Sequence, residues 1–385
     1  MNKKIIAVAL ATSFAAPLAM ADVTLYGFLS AGLESVKADG ASASTSLSSR
    51  TRVSDYNSRI GFKGSEDLGN GLQSIWQVES SLKNFEQGGT NDKGESATFA
   101  TRNTFVGLTS NSFGTVQMGL YDSVYKRLTT TAVGTNVMAD TTADTNVSNG
   151  VVTRGDARLK NSVHYTSPTW NGLQGGVSWG ADEARTSGTN AQRVSVAGSY
   201  TNGGLIVALG YDHQGDTTNT ITSATSGEKI AQNVAGAKTN YTKLAAAYKF
   251  AFGTYLGAQF EHASYGQASA TSMTQNDWTV AVAQDIGAGS VKLSYNKLGN
   301  LNNPTYGSPS DYSAKQWVLG GTYNLSKRTQ LLAYYTKLTN GNLQNADFGQ
   351  DALYTTAYNS STSTAASLAT HTTLTAFGAG LKVAF

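Results

Sequence analysis

Five basic residues, Arg59, Lys63, Arg102, Arg158 and Lys160, and three acids, Asp140, Asp144 and Asp156, are the groups of this chain best placed to act on a charged solute. The acids and the last two bases crowd into one stretch, 123–160, where Arg154 adds a further cation. A loop that sets carboxylates across from a basic wall makes a transverse field, which orients polar solutes without making or breaking a bond. Bond-making sets are not evident. His164, His213, His262 and His371 are scattered, with no Ser and carboxylate arrangement that the sequence assigns to a triad. There is no cysteine, no zinc-type spacing and no phosphate-binding glycine loop. No cofactor and no metal are expected, and an outer-membrane lipase or protease is left without an assigned site.

These side chains need strands to hold them. The C-terminal stretch shows why: Phe377, Ala379, Leu381, Val383 and Phe385 alternate with Gly378, Gly380, Lys382 and Ala384. Period 2 describes a strand whose faces meet different media. Sixteen such segments are expected, near 23–36, 58–67, 71–82, 102–109, 114–122, 161–166, 173–183, 191–201, 204–213, 240–250, 254–266, 276–285, 290–299, 313–324, 329–338 and 372–385. The connections alternate. Short ones such as Asp67-Leu68-Gly69-Asn70-Gly71 and Asn202-Gly203 carry tight-turn residues. Long ones cover 37–57, 83–101, 123–160, 214–239, 300–312 and 339–371. Short turns at one end and long loops at the other describe an all-β, 16-stranded antiparallel transmembrane barrel, with turns in the periplasm and loops outside. A barrel of that width leaves an aqueous channel. The loop 123–160 is expected to fold inward as the constriction.

The N-terminus says how the barrel reaches its membrane. Lys3 and Lys4, the apolar run from Ile5 and the Ala19-Met20-Ala21 step read as a signal peptide over 1–21, leaving 22–385 as the barrel. No later segment approaches the ~20 apolar residues of a membrane helix. Lys and Arg number 28 against 25 Asp and Glu, and two of the lysines lie in the leader. That balance argues against a nucleic-acid partner. An exported chain without cysteine must rest on backbone pairing and burial.

Alternation assigns the faces. Ile60 and Phe62 face lipid, so Arg59 and Lys63 face water. Val163 and Tyr165 face out, which puts Arg158, Lys160, Ser162 and His164 on the inner side. Arg102 opposes Phe105 and is expected inside. Arg193, Lys243, Lys249, Lys292, Glu34, Glu79 and Asp285 are also read as inward. Trp76, Trp179, Trp278 and Trp317 share the apolar parity, as aromatic girdles do. The last loop, with Ser360-Ser361-Thr362-Ser363-Thr364, is exposed and flexible by composition.

Val23-Thr24-Leu25-Tyr26-Gly27, the run Ser58-Arg59-Ile60-Gly61-Phe62-Lys63-Gly64-Ser65-Glu66-Asp67-Leu68-Gly69, Arg102-Asn103-Thr104-Phe105-Val106-Gly107-Leu108, Phe113-Gly114-Thr115-Val116 and Asn161 to Pro168 stand in one order. In that order the chain resembles general porins of the neisserial and betaproteobacterial type, over all of 22–385. The resemblance implies a homotrimer in the outer membrane, among lipid and lipopolysaccharide, with the third external loop inside each pore. It places a basic cluster on Arg59, Arg102 and Arg158. Gly119-Leu120-Tyr121 departs from the family, which often has Arg after that glycine. The function implied is passive diffusion of small hydrophilic solutes and ions, with a weak-to-moderate anion preference. The alternatives are a substrate-selective channel for sugars or organic acids, and an adhesin or receptor role of the loops. The first would want an aromatic ladder, of which only Tyr26 and Phe28 share the inner parity. The termini are expected to meet where the barrel closes.

Overall fold

The computed structural model describes residues 22–385 apart from 41, 43, 44, 83–98, 147–149, 222–228, 269 and 360–363. The expected signal peptide lies outside the described residues. β1 (Asp22–Asp39), β2 (Leu47–Asp55), β3 (Arg59–Gly69), β4 (Leu72–Ser81), β5 (Thr104–Ser110) and β6 (Gly114–Asp122) precede the inward loop. β7 (Arg158–Thr166), β8 (Leu173–Gly180), β9 (Arg193–Asn202), β10 (Leu205–Ile221), β11 (Lys229–Lys249) and β12 (Thr254–Tyr265) follow. β13 (Met273–Ile286), β14 (Gly289–Asn302), β15 (Ala314–Asn324) and β16 (Thr329–Asn340) lead to a small hairpin, β17 (Tyr354–Asn359) and β18 (Thr364–Ser367), and to the closing β19 (Thr373–Ala384).

The pairing is antiparallel and follows chain order, and β1 closes the ring against β19. The circuit has sixteen strands, because β2 and β3 share one place. The upper part of β1, Ala31 to Ala38, pairs with β2, and the lower part, Asp22 to Phe28, pairs with β3. The sequence places a loop at 37–57, but β1 runs on to Asp39 and Leu47–Asp55 form this extra strand. The break between the halves is a kink at Tyr56-Asn57-Ser58. Asn57 has φ 55°, a conformation that Asn tolerates better than most residues. The Ser58 hydroxyl donates to the Ser30 carbonyl at 3.1 Å, and the Ser58 amide donates to Asp55 Oδ1 at 3.0 Å. These bonds replace the ladder bonds that the kink removes.

The turn ends obey their sequences. Asn70 and Gly71 both take positive φ in the β3–β4 turn, as a hairpin matching strand twist requires. The opposite ends are longer than expected in one case. Segment 214–239, expected as a loop, largely extends β10 and β11 into one long hairpin. The termini are offset too. The Phe385 amide donates to the Gly27 carbonyl at 3.1 Å, while Asp22 lies farther along β1, opposite Ser65.

Alternation governs the outside. Leu256, Phe260, Val280, Leu293 and Leu319 are exposed on the outer face, where lipid replaces water. Trp278, Tyr295 and Trp317 pack against one another across three strands with ring centroids 5.3 and 4.4 Å apart and planes tilted by 57° and 50°. Inside, alternation gives way on one side of the barrel. Val36, Ala38, Val318, Leu332, Leu338, Leu374 and Ala376 take the polar parity, yet all are buried. Two loops cover them.

Candidate functional site

The inward loop leaves β6 at Asp122 and rejoins the wall at Arg158, so Arg158 and Lys160 belong to β7 and not to the loop. Its root is a π-helical turn, Lys126–Thr131. Val124 donates its amide to Ser178 Oγ at 2.9 Å. The Tyr125 hydroxyl donates to Glu261 Oε2 at 2.6 Å. Farther along, the Tyr255 hydroxyl donates to the Val133 carbonyl at 2.7 Å, Thr135 donates to Gln259 at 2.8 Å and Thr142 donates to Glu34 at 3.1 Å. The loop therefore crosses the lumen, pinned to β12 on one wall and to β1 on the other. Glycines in strands mark where it lies down. A Cβ at Gly176 would stand 2.9 Å from Val124, and one at Gly320 2.5 Å from Met138.

The three acids of the loop go to three different places. Asp140 meets the basic wall. It accepts from Arg59 at short range, from Asn57 Nδ2 at 2.7 Å, and faces Lys382 Nζ at 3.4 Å. Asp144 is held within the loop system. Its Oδ1 accepts from Asn136 and the Asn146 amide, and its Oδ2 from the Asp140 amide and Gln350. Burial, with Asp140 beside it, pushes the Asp144 carboxyl above the ordinary carboxylate range. Asp156 anchors the far end, 2.6 Å from Lys243 Nζ, which also lies 3.2 Å from Glu261.

The predicted basic residues divide likewise. Arg59 and Arg102 share one network. Arg102 pairs with Glu79 and donates to Asn57 Oδ1 at 3.3 Å. The Tyr26 hydroxyl donates to Glu79 at 3.0 Å, and Lys63 sits over the Tyr26 ring, 5.4 Å from its centroid. Phe28 carries Arg59 at 4.6 Å and Lys382 at 3.7 Å from its ring centroid, contacts that attract a cation to an aromatic face. Tyr26 and Phe28 are thus cushions for cations and not an open aromatic ladder. Arg158 stands apart. It pairs with Asp122 at 3.1 Å and donates to Asn103 at 2.8 Å, beside Lys126. Lys160 departs from the parity reading. A bulge sets Lys160 and Asn161, the latter at φ 50°, between Leu159 and Ser162. Leu159 takes the buried side with Ser162 and His164, and Lys160 is exposed.

Sequence reasoning missed Asn57, which only the kink brings to the centre, and Lys382, which faces Asp140 from the last strand. It also missed the second covering loop. Residues 341–353 fold into the barrel mouth, where Ala346, Phe348, Leu353 and Leu368 join Val137, Met138, Val151 and Val152 of the inward loop in one apolar cluster. Arg52 ties this loop to the wall: it pairs with Glu34 at 2.7 Å and donates to the Asp351 carbonyl at 2.7 Å. The expected exposed, flexible last loop is therefore folded in over that stretch. Ser360-Ser361-Thr362-Ser363 lie outside the described residues. The signal was present in Val36, Leu338 and Leu374, apolar residues on the wet parity of their strands. His164 bonds two serine hydroxyls, Ser162 and Ser178, each at 2.7 Å, and is fully buried.

A closed antiparallel barrel with lipid-facing alternation outside and a loop across its lumen is an outer-membrane channel. The chain matches the Gram-negative porin family model over residues 7–343 and belongs to that family. It is 31% identical to the major outer membrane protein P.IB of Neisseria meningitidis serogroup B, over 86% of this chain and 92% of that protein. It is 30% identical to the protein of the same name from Neisseria gonorrhoeae, again over 86% and 92%. Among solved structures, the anion-selective porin from Comamonas acidovorans superposes with TM-score 0.68 at 23% identity, covering 95% of this chain and all of that one. The trimer form of OmpT from Vibrio cholerae gives 0.60 at 15%, covering 94% and 99%. At those identities the structures show the fold. The protein resides in the outer membrane and passes solutes by passive diffusion.

Proposed function

We propose that the pore narrows where the inward loop meets β1, β3–β5 and β19, and that this junction gives a weak-to-moderate preference for small anions. The observation that carries the reading is the composition of one network. Four cations stand against two carboxylates: Arg59 and Lys382 pair with Asp140, Arg102 pairs with Glu79, and Lys63 lies over the ring of Tyr26, whose hydroxyl donates to Glu79. The excess positive charge faces the lumen, where low-dielectric walls strengthen its field. Asp144 and Asp156 hold the loop in place. The solved neighbour named as anion-selective supports the sign. Arg158 and Lys160 lie outside the network and contribute little to it. The named relatives are porins, and the proposed role is transport without enzymatic chemistry, His164 being sealed between serines. A homotrimer is part of the proposal, supported by the trimer form of a solved neighbour and by the apolar outer faces of β1 and β19. Lipopolysaccharide is the proposed lipid partner.

Reversal potential in a planar bilayer under a potassium chloride gradient tests the reading. The native chain should favour chloride, and Arg59→Ala with Arg102→Ala should abolish or invert the preference while conductance persists. An unchanged reversal potential in the double variant would discard the network as the selective element. A cation preference in the native chain would discard the sign.

A further inference from the structure

Three lysines stand on the lipid side of the barrel, where alternation would place apolar residues. Lys297 shares the outer parity of Leu293 and Tyr295, Lys315 that of Trp317 and Leu319, and Lys337 that of Leu331 and Tyr335. Strand pairing sets them together. Lys297 lies directly opposite Lys315, and Lys337 opposite Trp317, hence diagonal to Lys315. Opposed residues of an antiparallel pair stand roughly 5 Å apart and diagonal ones roughly 7–8 Å. Like charges so placed repel. Among the described residues, none of the three has a carboxylate partner in an ion pair. Lys315 and Lys337 are exposed, and Lys297 is half-buried.

Their height is defined by the aromatic rings. Trp278 lies directly opposite Lys297 and Trp317 directly opposite Lys337, while Tyr295 and Trp317 stand one outward position closer to the short turns than Lys297 and Lys315 on their own strands, so the lysines share the level of an aromatic girdle. Tyr323 marks the other end of β15, next to the short β15–β16 turn. From Lys315 to Tyr323 is roughly 20 Å along the membrane normal, allowing for strand rise and tilt. The lysines thus stand at the outer headgroup level, where a lipid-facing lysine costs far less than at the bilayer midplane. Below them, a groove of about 750 Å³ opens on the outer face, lined by Leu256, Ala258, Val280, Leu293, Tyr295 and Trp317. His262 and Asn276, bonded at 2.7 Å, continue the polar level on the neighbouring strands.

We infer that Lys297, Lys315 and Lys337, with the groove beneath them, form a binding site for a phosphorylated glycolipid of the lipopolysaccharide kind in the outer leaflet. The lysines take its phosphates and the groove takes an acyl chain. Charge complementarity selects this occupant: an anionic headgroup relieves the repulsion among three unpaired cations, and a neutral or zwitterionic lipid does so less. The site rests on the outer-membrane placement given above, and it gives the proposed lipid partner an address.

The test uses the full folded chain in detergent, with bound lipid counted by native mass spectrometry. The probes are diphosphorylated lipid A, the same lipid with its phosphates removed, and inorganic phosphate. Lys297→Gln with Lys315→Gln and Lys337→Gln should weaken binding of the phosphorylated lipid about tenfold or more. The dephosphorylated lipid should bind native chain and variant alike. Lys327→Gln with Arg328→Gln, at the periplasmic turn, controls for lost charge and should leave lipid binding intact. Equal binding by the triple variant and the native chain would overturn the site. So would an equal loss in the turn control, or displacement of the lipid by millimolar inorganic phosphate, which would mark a free-ion site. A changed oligomeric state with unchanged lipid binding would assign the patch to a subunit contact. Should the triple variant not fold, Lys315→Gln alone carries the test, with a several-fold loss expected. Conductance is recorded on the same samples: its absence would count against the channel and not against the lipid site.

Discussion

At the residue scale, the lumen separates charges that select from charges that hold. Lys243 belongs to the second kind. It is fully buried between Asp156 of the inward loop and Glu261 of β12, with Asp277 nearby, whose Oδ1 accepts the Thr153 amide. Removing one partner of a buried pair costs ~3–5 kcal/mol because the other charge stays buried. Lys243→Met should therefore destabilise the barrel by that order in detergent unfolding and produce noisy, multi-level single-channel currents. Quiet currents with native stability would show that the loop does not depend on this anchor. Asp144 gives a pH signature. Its folded pKa is raised, so its contribution is greatest below the ordinary carboxylate pKa and is lost as pH rises through the raised value. Asp144→Asn has no such titration. Lowering the pH from neutral to about 4 should shift the melting difference between the two in favour of the native chain, and a pH-independent difference would refute the raised pKa.

At the element scale, the inward loop is only as rigid as what covers it. Phe348 is nearly fully buried among Val137, Met138 and Val152, and it links the last external loop to the inward one. Phe348→Ala should cost ~3–5 kcal/mol of stability, as for large aromatics removed from a close-packed core. It should also raise open-channel noise, since the loop loses its outer support. A quiet channel in the variant would show that the wall contacts alone fix the loop. The β2–β3 kink has a similar logic. It spends one stretch of ladder pairing to put Asn57 between Arg59, Arg102 and Asp140. Neither feature was legible beforehand, because alternation reports which medium a residue meets on average, and a lumen filled by a loop is no longer water. Lys160 illustrates the same point locally: one bulge residue reverses every parity assignment beyond it.

At the scale of the whole molecule, the proposed selectivity is that of a field and not of a binding pocket. In that proposal the network of Arg59, Lys63, Arg102 and Lys382 acts on ions across the lumen. Salt should screen it: the Debye length falls from ~10 Å at 0.1 M to ~3 Å at 1 M. The chloride-to-potassium permeability ratio should accordingly fall toward unity over that range. A ratio independent of salt would instead indicate a dehydrated site with direct contacts.

The sequence by itself determined the barrel, its orientation and the residues that face lipid. Period-2 alternation, even spacing and turn chemistry are local, and each strand needs only its neighbours to express them. It also held much of the charged wall, since Arg59, Glu34 and Glu79 follow from parity alone; Arg102 lies inside for another reason, because Phe105, taken as lipid-facing, is buried while Val106 and Leu108 face out, and Arg102 precedes β5 and turns in to Glu79. Which acid meets which base was decided only by tertiary structure. Asp140, Asp144 and Asp156 lie on one loop with similar composition around them, yet one reaches the basic wall, one stays inside the loop and one anchors to β11. Their fates depend on where the loop is pinned, and the pins are distant in the chain: Gln259, Tyr255, Glu261 and Phe348. Long-range closure of that kind leaves no periodicity to read, because loop backbone follows its contacts and not a repeat.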